Sequence, residues 1–123
     1  KFTGYLSREE IKQKISTALF CAIPSYFENF SMAALEVMAC GKTLIYANKA
    51  SGPELITDKV NGILVDPTDI DQIASAMQFL LKNPQKCLQI GENAFNTILN
   101  NYTEDIIVNN IEQYYFKILN HKS

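Results

Sequence analysis

The chain has 123 residues, is 47% hydrophobic and 20% charged, and carries a net charge of −2. That size suits one domain with one core, and the single Arg (Arg8) and lack of any basic stripe argue against a nucleic-acid partner. No apolar run approaches the ~18 residues of a membrane span.

In chain order, Lys1–Tyr5 reads as the tail of a strand ending at Gly4. Ser7-Arg8-Glu9-Glu10 has the form of a capping box, and the helix after it places Ile11, Ile15, Ala18 and Leu19 on one face. Phe20–Ile23 is a short apolar run stopped by Pro24, expected as a buried strand. Met32–Cys40 is expected as a helix ended by Gly41. Thr43–Ala47 is a second buried strand. Ser51-Gly52-Pro53-Glu54 reads as another capping box, opening a short helix through Ile56. Asn61-Gly62 turns into a third strand, Ile63–Val65. Asp69 caps a helix with Ile70, Ile73, Ala74, Met77, Leu80 and Leu81 on its stripe. Asn83-Pro84 ends that helix and opens another, which shows Cys87, Ile90, Ala94 and Ile98. A last helix, capped by Thr103, shows Ile107, Ile111, Tyr114 and Ile118.

Strands thus alternate with helices, and each strand is continuously apolar. This predicts an α/β fold with a Rossmann-like parallel sheet covered on both faces. Three or four strands are fewer than a complete doubly wound domain has. The second half of such a domain is therefore expected, its open sheet edge awaiting the first half. A first residue that is Lys rather than Met raises the expectation of a fragment or a processed chain. No signal peptide is recognisable.

The three cysteines, Cys21, Cys40 and Cys87, lack metal-ligand spacing and sit in apolar contexts. Buried free thiols in a reducing, cytoplasmic setting are expected. The only histidine, His121, stands in the C-terminal tail. That argues against a Ser-His-Asp arrangement and excludes a histidine-rich metal site. Carboxylates, backbone groups or residues on another domain are what remain for chemistry.

Residues 24–41, PSYFENFSMAALEVMACG, pose the sharpest question. Between Phe27 and Lys42 they carry two charges, Glu28 and Glu36, and Glu36 stands within a segment that otherwise reads as core. An ionised carboxylate in apolar surroundings is normally paired or shifted in pKa. The loop after a strand of a parallel sheet is also where ligands bind, facing helix N-termini. The helix starting at Met32, with Ser31 as cap or ligand contact, presents free N–H groups that favour an anion. A phosphate there would lie between two acceptors of hydroxyl hydrogen bonds. That layout suits a nucleotide sugar. The bland readings are a structural Glu36 satisfied by protein groups and a Glu28 that is a plain surface residue.

The pattern Glu28-x7-Glu36, within Pro24-Ser25-x-x-Glu28-x-Phe30-Ser31-x4-Glu36-x-Met38-Ala39-x-Gly41, closely resembles the E-x7-E motif of retaining GT-B glycosyltransferases, family 4 (glycosyl transferases group 1) in particular. Ser51-Gly52-Pro53-Glu54 is similar to the family's Gly-Gly-x-Pro-Glu segment. Asn61-Gly62-Ile63-Leu64-Val65 with Pro67 and Asp69 resembles its Asn-Gly-x-Leu-Val-x-Pro-x-Asp segment. The resemblance implies that residues 1–123 are the later part of the nucleotide-sugar-binding C-terminal domain, inactive alone. It implies that Glu28 accepts hydrogen bonds from the donor sugar as the candidate catalytic residue. It places the amides of Asn29, Phe30 and Ser31 against the sugar and diphosphate, and Glu36 on the ribose. No cofactor and no metal are implied, since GT-B enzymes hold the diphosphate with protein groups. The acceptor (a glycan, lipid or small molecule) would bind through an N-terminal domain outside this sequence, and the enzyme would be cytoplasmic, with peripheral membrane contact allowed. Two positions depart from the pattern: Ser31 replaces a usual Gly, and Thr43 a frequent Pro. The family's basic diphosphate-binding pair lies before this segment. A nucleotide-sugar epimerase and a non-catalytic α/β interaction module are the alternative readings.

Overall fold

Three parallel strands form the centre of the computed structural model, which describes residues 1–120. β1 (Phe20–Ile23), β2 (Thr43–Ala47) and β3 (Ile63–Val65) lie in that order, with Phe20 paired to Thr43 and Ile45 to Ile63. His121 lies outside the described residues.

β2 is buried along its whole length, and successive side chains leave opposite faces of the sheet. Leu44 and Tyr46 join one cluster, with Ala34, Val37 and Met38 of α2 (Met32–Ala39) and Leu55 of α3 (Gly52–Leu55). Ile45 joins the other, with Val65, with Leu80 of α4 (Ile70–Lys82) and with Cys87 and Ile90 of α5 (Pro84–Asn101). α5 serves both, since its Ala94 belongs to the first cluster. Two apolar clusters on the two faces of one parallel sheet are what the unbroken apolar runs predict. Three strands with flanking helices also fit a partial doubly wound domain.

Local signals hold at several element ends. Ser7 and Glu10 form both halves of the capping box of α1 (Arg8–Thr17). Asp69 caps α4 through the Gln72 N–H at 2.9 Å. Gly41, at φ +67°, ends α2 in the left-handed conformation that glycine adopts without strain. Thr43, where the family's frequent Pro would stand, donates its hydroxyl to the Cys87 carbonyl and ties β2 to α5.

Other expectations are corrected. Lys1–Tyr5 forms no strand and is exposed. β1 is half-buried with Ala22 exposed, because it pairs with β2 alone among the described residues. Ser51 caps nothing: it has helical angles (φ −71°, ψ −7°), whereas an N-cap is extended, and its buried hydroxyl has no partner among the described residues. α4 turns Ile73, Ala76, Met77 and Leu80 inward and leaves Ile70, Ala74 and Leu81 exposed. One helix face covers only a limited stripe, and the expected set spilled over its borders. α1 and α6 (Glu104–Asn120) contain no buried residue; Ile11, Ile107, Ile111, Tyr114 and Ile118 remain exposed, as does Leu19 between α1 and β1. Cys87 is buried, but Cys21 and Cys40 are half-buried, and all three are free thiols.

Candidate functional site

β1 stops before Pro24, which has no N–H to continue the ladder. The chain leaves the carboxyl end of β1 as residues 24–31 and enters α2 at Met32. Ser31 is buried and extended (φ −90°, ψ 110°), and its hydroxyl accepts the Ala34 N–H at 3.2 Å. That side chain is thus committed to the helix. The amides of Asn29, Phe30, Ser31, Met32 and Ala33 donate no hydrogen bond to the described residues. α2 also has no acid in its first turn, unlike α1, α4 and α6. Free N–H groups and an uncompensated dipole end make this place favourable for an anion.

The position of Glu36 follows from the turn of α2. Ala34, Val37 and Met38 are buried, while Glu36 is exposed. At 3.6 residues per turn its apolar neighbours in sequence lie on other faces. The expectation of a carboxylate inside the core is therefore corrected: no burial penalty needs a partner to offset it. Glu36 lines an open cleft of about 450 Å³ between α1 and α2. α2 contributes Glu36 and Ala39 to this cleft, and α1 contributes Arg8, Ile11, Lys12 and Ile15. The cleft combines an apolar wall with charged groups of both signs, a surface suited to a polar ring or a nucleoside.

Glu28 sits in the loop, half-buried, and does not line that cleft. Asn29 and Phe30 beside it are exposed. The structure thus gathers Glu28, Asn29, Phe30 and Ser31 ahead of α2 and sets Glu36 apart, facing α1.

Neither the Glu28 nor the Glu36 carboxylate has an ion-pair or hydrogen-bond partner among the described residues. Other acids show what engagement looks like. Asp66 takes the Thr68 hydroxyl and N–H and lies 3.3 Å from the Lys49 ammonium, contacts that lower its pKa. The Ser7 N–H and hydroxyl likewise hold Glu10 below its ordinary value. Glu28 and Glu36 keep all their acceptor capacity for an outside donor such as a sugar hydroxyl. Among the described residues no group of three or more His, Cys, Asp or Glu is placed to share a metal ion.

Two features escaped the sequence reading. Ile11 and Ile15 read as core, yet they line the cleft that Glu36 faces; Arg8 and Lys12, four residues apart on the same helix, were the available signal. The Tyr102 ring, at the end of α5, lies against the Phe30 ring at a centroid distance of 6.2 Å and a 45° tilt. No local pattern announces that contact.

Residues 1–97 match the family model described as Glycosyl transferases group 1. The MMP alpha-(1->4)-mannosyltransferase of Mycolicibacterium hassiacum is 33% identical over 89 residues, which cover 72% of this chain and 22% of that protein. Sucrose-phosphate synthase from Thermosynechococcus elongatus superposes with a TM-score of 0.87 at 27% identity, over 98% of this chain and 30% of that one. Anabaena Alr3699/HepE in complex with UDP-glucose superposes with a TM-score of 0.85 at 25% identity, over 95% of this chain and 32% of that one. The chain spans about a fifth of the length of the curated relatives it matches.

Proposed function

Because the chain belongs to the glycosyl transferases group 1 family, we propose that the intact protein is a glycosyltransferase moving a sugar from a nucleotide-sugar donor to an acceptor hydroxyl, with retention of configuration as in family 4. Residues 1–123 are then the later part of its donor-binding domain. The observation that carries this reading is the pair of unengaged carboxylates around one helix start. Glu28 stands in the loop before α2, Glu36 lies on the open face of α2, and bare N–H groups lie between them in the chain.

The family resemblance supports the following division of labour, and the geometry is compatible with it. The amides of Asn29, Phe30 and Ser31 with the α2 dipole face the diphosphate and sugar, where they stabilise charge developing on the departing group. Glu28 accepts hydrogen bonds from the sugar hydroxyls and orients the sugar. Glu36 accepts from the ribose, with the nucleoside lying in the cleft against α1. The Ser31 hydroxyl stays with the Ala34 N–H and supports the loop rather than touching the donor. No metal ion enters this scheme. The acceptor-binding domain and the basic groups that complete the diphosphate site come from the rest of the intact protein, placed at the cytoplasmic side of the cell.

The relatives support the reading through their own names, a mannosyltransferase and a protein solved with UDP-glucose. The test is calorimetric titration of the intact protein with a panel of UDP-, GDP- and ADP-sugars. A transfer assay follows, in which the anomeric configuration of the product is read by NMR. Binding and transfer with retained configuration are expected. Epimerisation of the donor without transfer, or no nucleotide binding at millimolar concentration, would overturn the proposal.

A further inference from the structure

The loop that carries Glu28 is held by little of its own. No hydrogen bond ties residues 25–30 to the rest of the described residues, and Tyr26, Phe27, Asn29 and Phe30 are exposed. Among the described residues its one aromatic contact is the Phe30–Tyr102 pair. Tyr102 itself is well anchored. Its N–H donates to the Ile98 carbonyl at 2.9 Å, it closes α5, and its half-buried ring packs against the cluster of α2 and β2. A fixed ring thus meets a loosely held one across 72 positions of sequence (Phe30 to Tyr102).

We propose that Tyr102 is a positioning residue for the donor site: its ring, seated on Phe30, sets where the 25–31 backbone stands and so where its amides and Glu28 meet the donor. This rests on the donor-site reading above. Offset and tilted ring pairs are attractive over their face and edge charges, and they constrain orientation as well as distance. The backbone carrying Phe30 is the same backbone whose amides are assigned to the sugar and diphosphate, and small misplacement of such groups lowers rate and affinity. Tyr102 touches no reacting atom in this account and acts through Phe30. Its hydroxyl is not needed, so a phenyl ring should serve as well.

The experiment uses the intact protein with Tyr102→Ala, Tyr102→Leu and Tyr102→Phe, beside Glu36→Ala and Glu28→Gln. Amide hydrogen exchange is followed at residues 25–31 and, as the internal control, in β2. Affinity is measured for a panel of UDP-, GDP- and ADP-sugars and their free nucleotides. Tyr102→Ala and Tyr102→Leu should speed exchange of residues 25–31 several-fold and leave β2 unchanged. They should weaken the tightest nucleotide sugar by about 2- to 10-fold, the range of ring pairs in mutant cycles. Free nucleotide should be affected less, and Tyr102→Phe should behave as the wild type. The Leu variant keeps apolar packing at α5 and separates loss of the ring from loss of folding. Unchanged exchange at 25–31 overturns the inference. So does faster exchange with unchanged nucleotide-sugar affinity in a protein that Glu36→Ala does weaken. If neither glutamate variant alters affinity, the donor-site reading itself has failed and takes this role of Tyr102 with it.

Discussion

A β-carbon added to Gly91 would stand 2.4 Å from the carbonyl oxygen of Gly41. α5 therefore touches the turn that ends α2, the helix bearing Glu36, and only a residue without a side chain permits the approach. Gly91→Ala forces α5 or the turn to move. Overpacking of this kind destabilises by roughly 1–3 kcal/mol. Urea unfolding should show the loss, and an unchanged midpoint would contradict the tight approach.

Glu36 is exposed and its carboxylate is without a partner among the described residues, so Glu36→Ala should shift folding stability by less than about 0.5 kcal/mol. Hydrogen bonds to charged groups contribute roughly 1.5–3 kcal/mol each. If Glu36 accepts two from a ribose, the same substitution weakens nucleotide-sugar binding by about 10²-fold or more. Calorimetry on the intact protein reads this directly, and unchanged affinity removes the ribose role.

Glu28→Gln should lower turnover more than it lowers affinity for free nucleotide, because the proposed contact is with the sugar. Steady-state rates and titrations with free nucleotide and nucleotide sugar make the comparison. Equal losses for the two ligands would argue against a sugar-specific contact.

Ser31→Ala removes the cap from α2 and should destabilise by about 0.5–2 kcal/mol, whereas Ser31→Gly should lose only a few tenths. Ser31 sits at φ −90°, so glycine's extra freedom is not required at this position. Denaturation curves of the two variants decide it. An unchanged midpoint in Ser31→Ala would mean that the hydroxyl bond to Ala34 contributes nothing.

Cys21 has its pKa raised, first by burial and next by the neighbouring Cys40 thiol, with Lys42 partly offsetting both. The folded form thus holds its proton above the ordinary thiol value of ~8.5. As pH rises past that value the unfolded thiol ionises first, so this group's linkage lowers stability with rising pH. Alkylation at pH 8–8.5, followed by mass spectrometry, should be slower at Cys21 than at a free cysteine, since the thiolate is the reactive form. Equal rates would contradict the shift.

Several features were legible because their causes are local. The Ser7–Glu10 box, the Asp69 cap and Gly41 each act within a few residues, so their sequence neighbourhood contains the whole explanation. The unbroken apolar run of β2 likewise announced a strand covered on both faces. The Ser51 box failed although its letters were right, because the turn from Ala47 into α3 holds Ser51 in a helical conformation. There Gly52 also packs close to the Ala47 carbonyl, where a β-carbon would stand 1.9 Å from the oxygen.

By itself the sequence determined the three strands Phe20–Ile23, Thr43–Ala47 and Ile63–Val65, the helices around them, and that the sheet is parallel. Hydrophobic period, caps and motif spacing are properties of neighbours along the chain. Tertiary structure alone decided that Glu36 faces outward, that Ile11 and Ile15 line its cleft, and that Tyr102 reaches Phe30. Those outcomes depend on which helix packs against which, and burial arises only where segments distant in sequence meet.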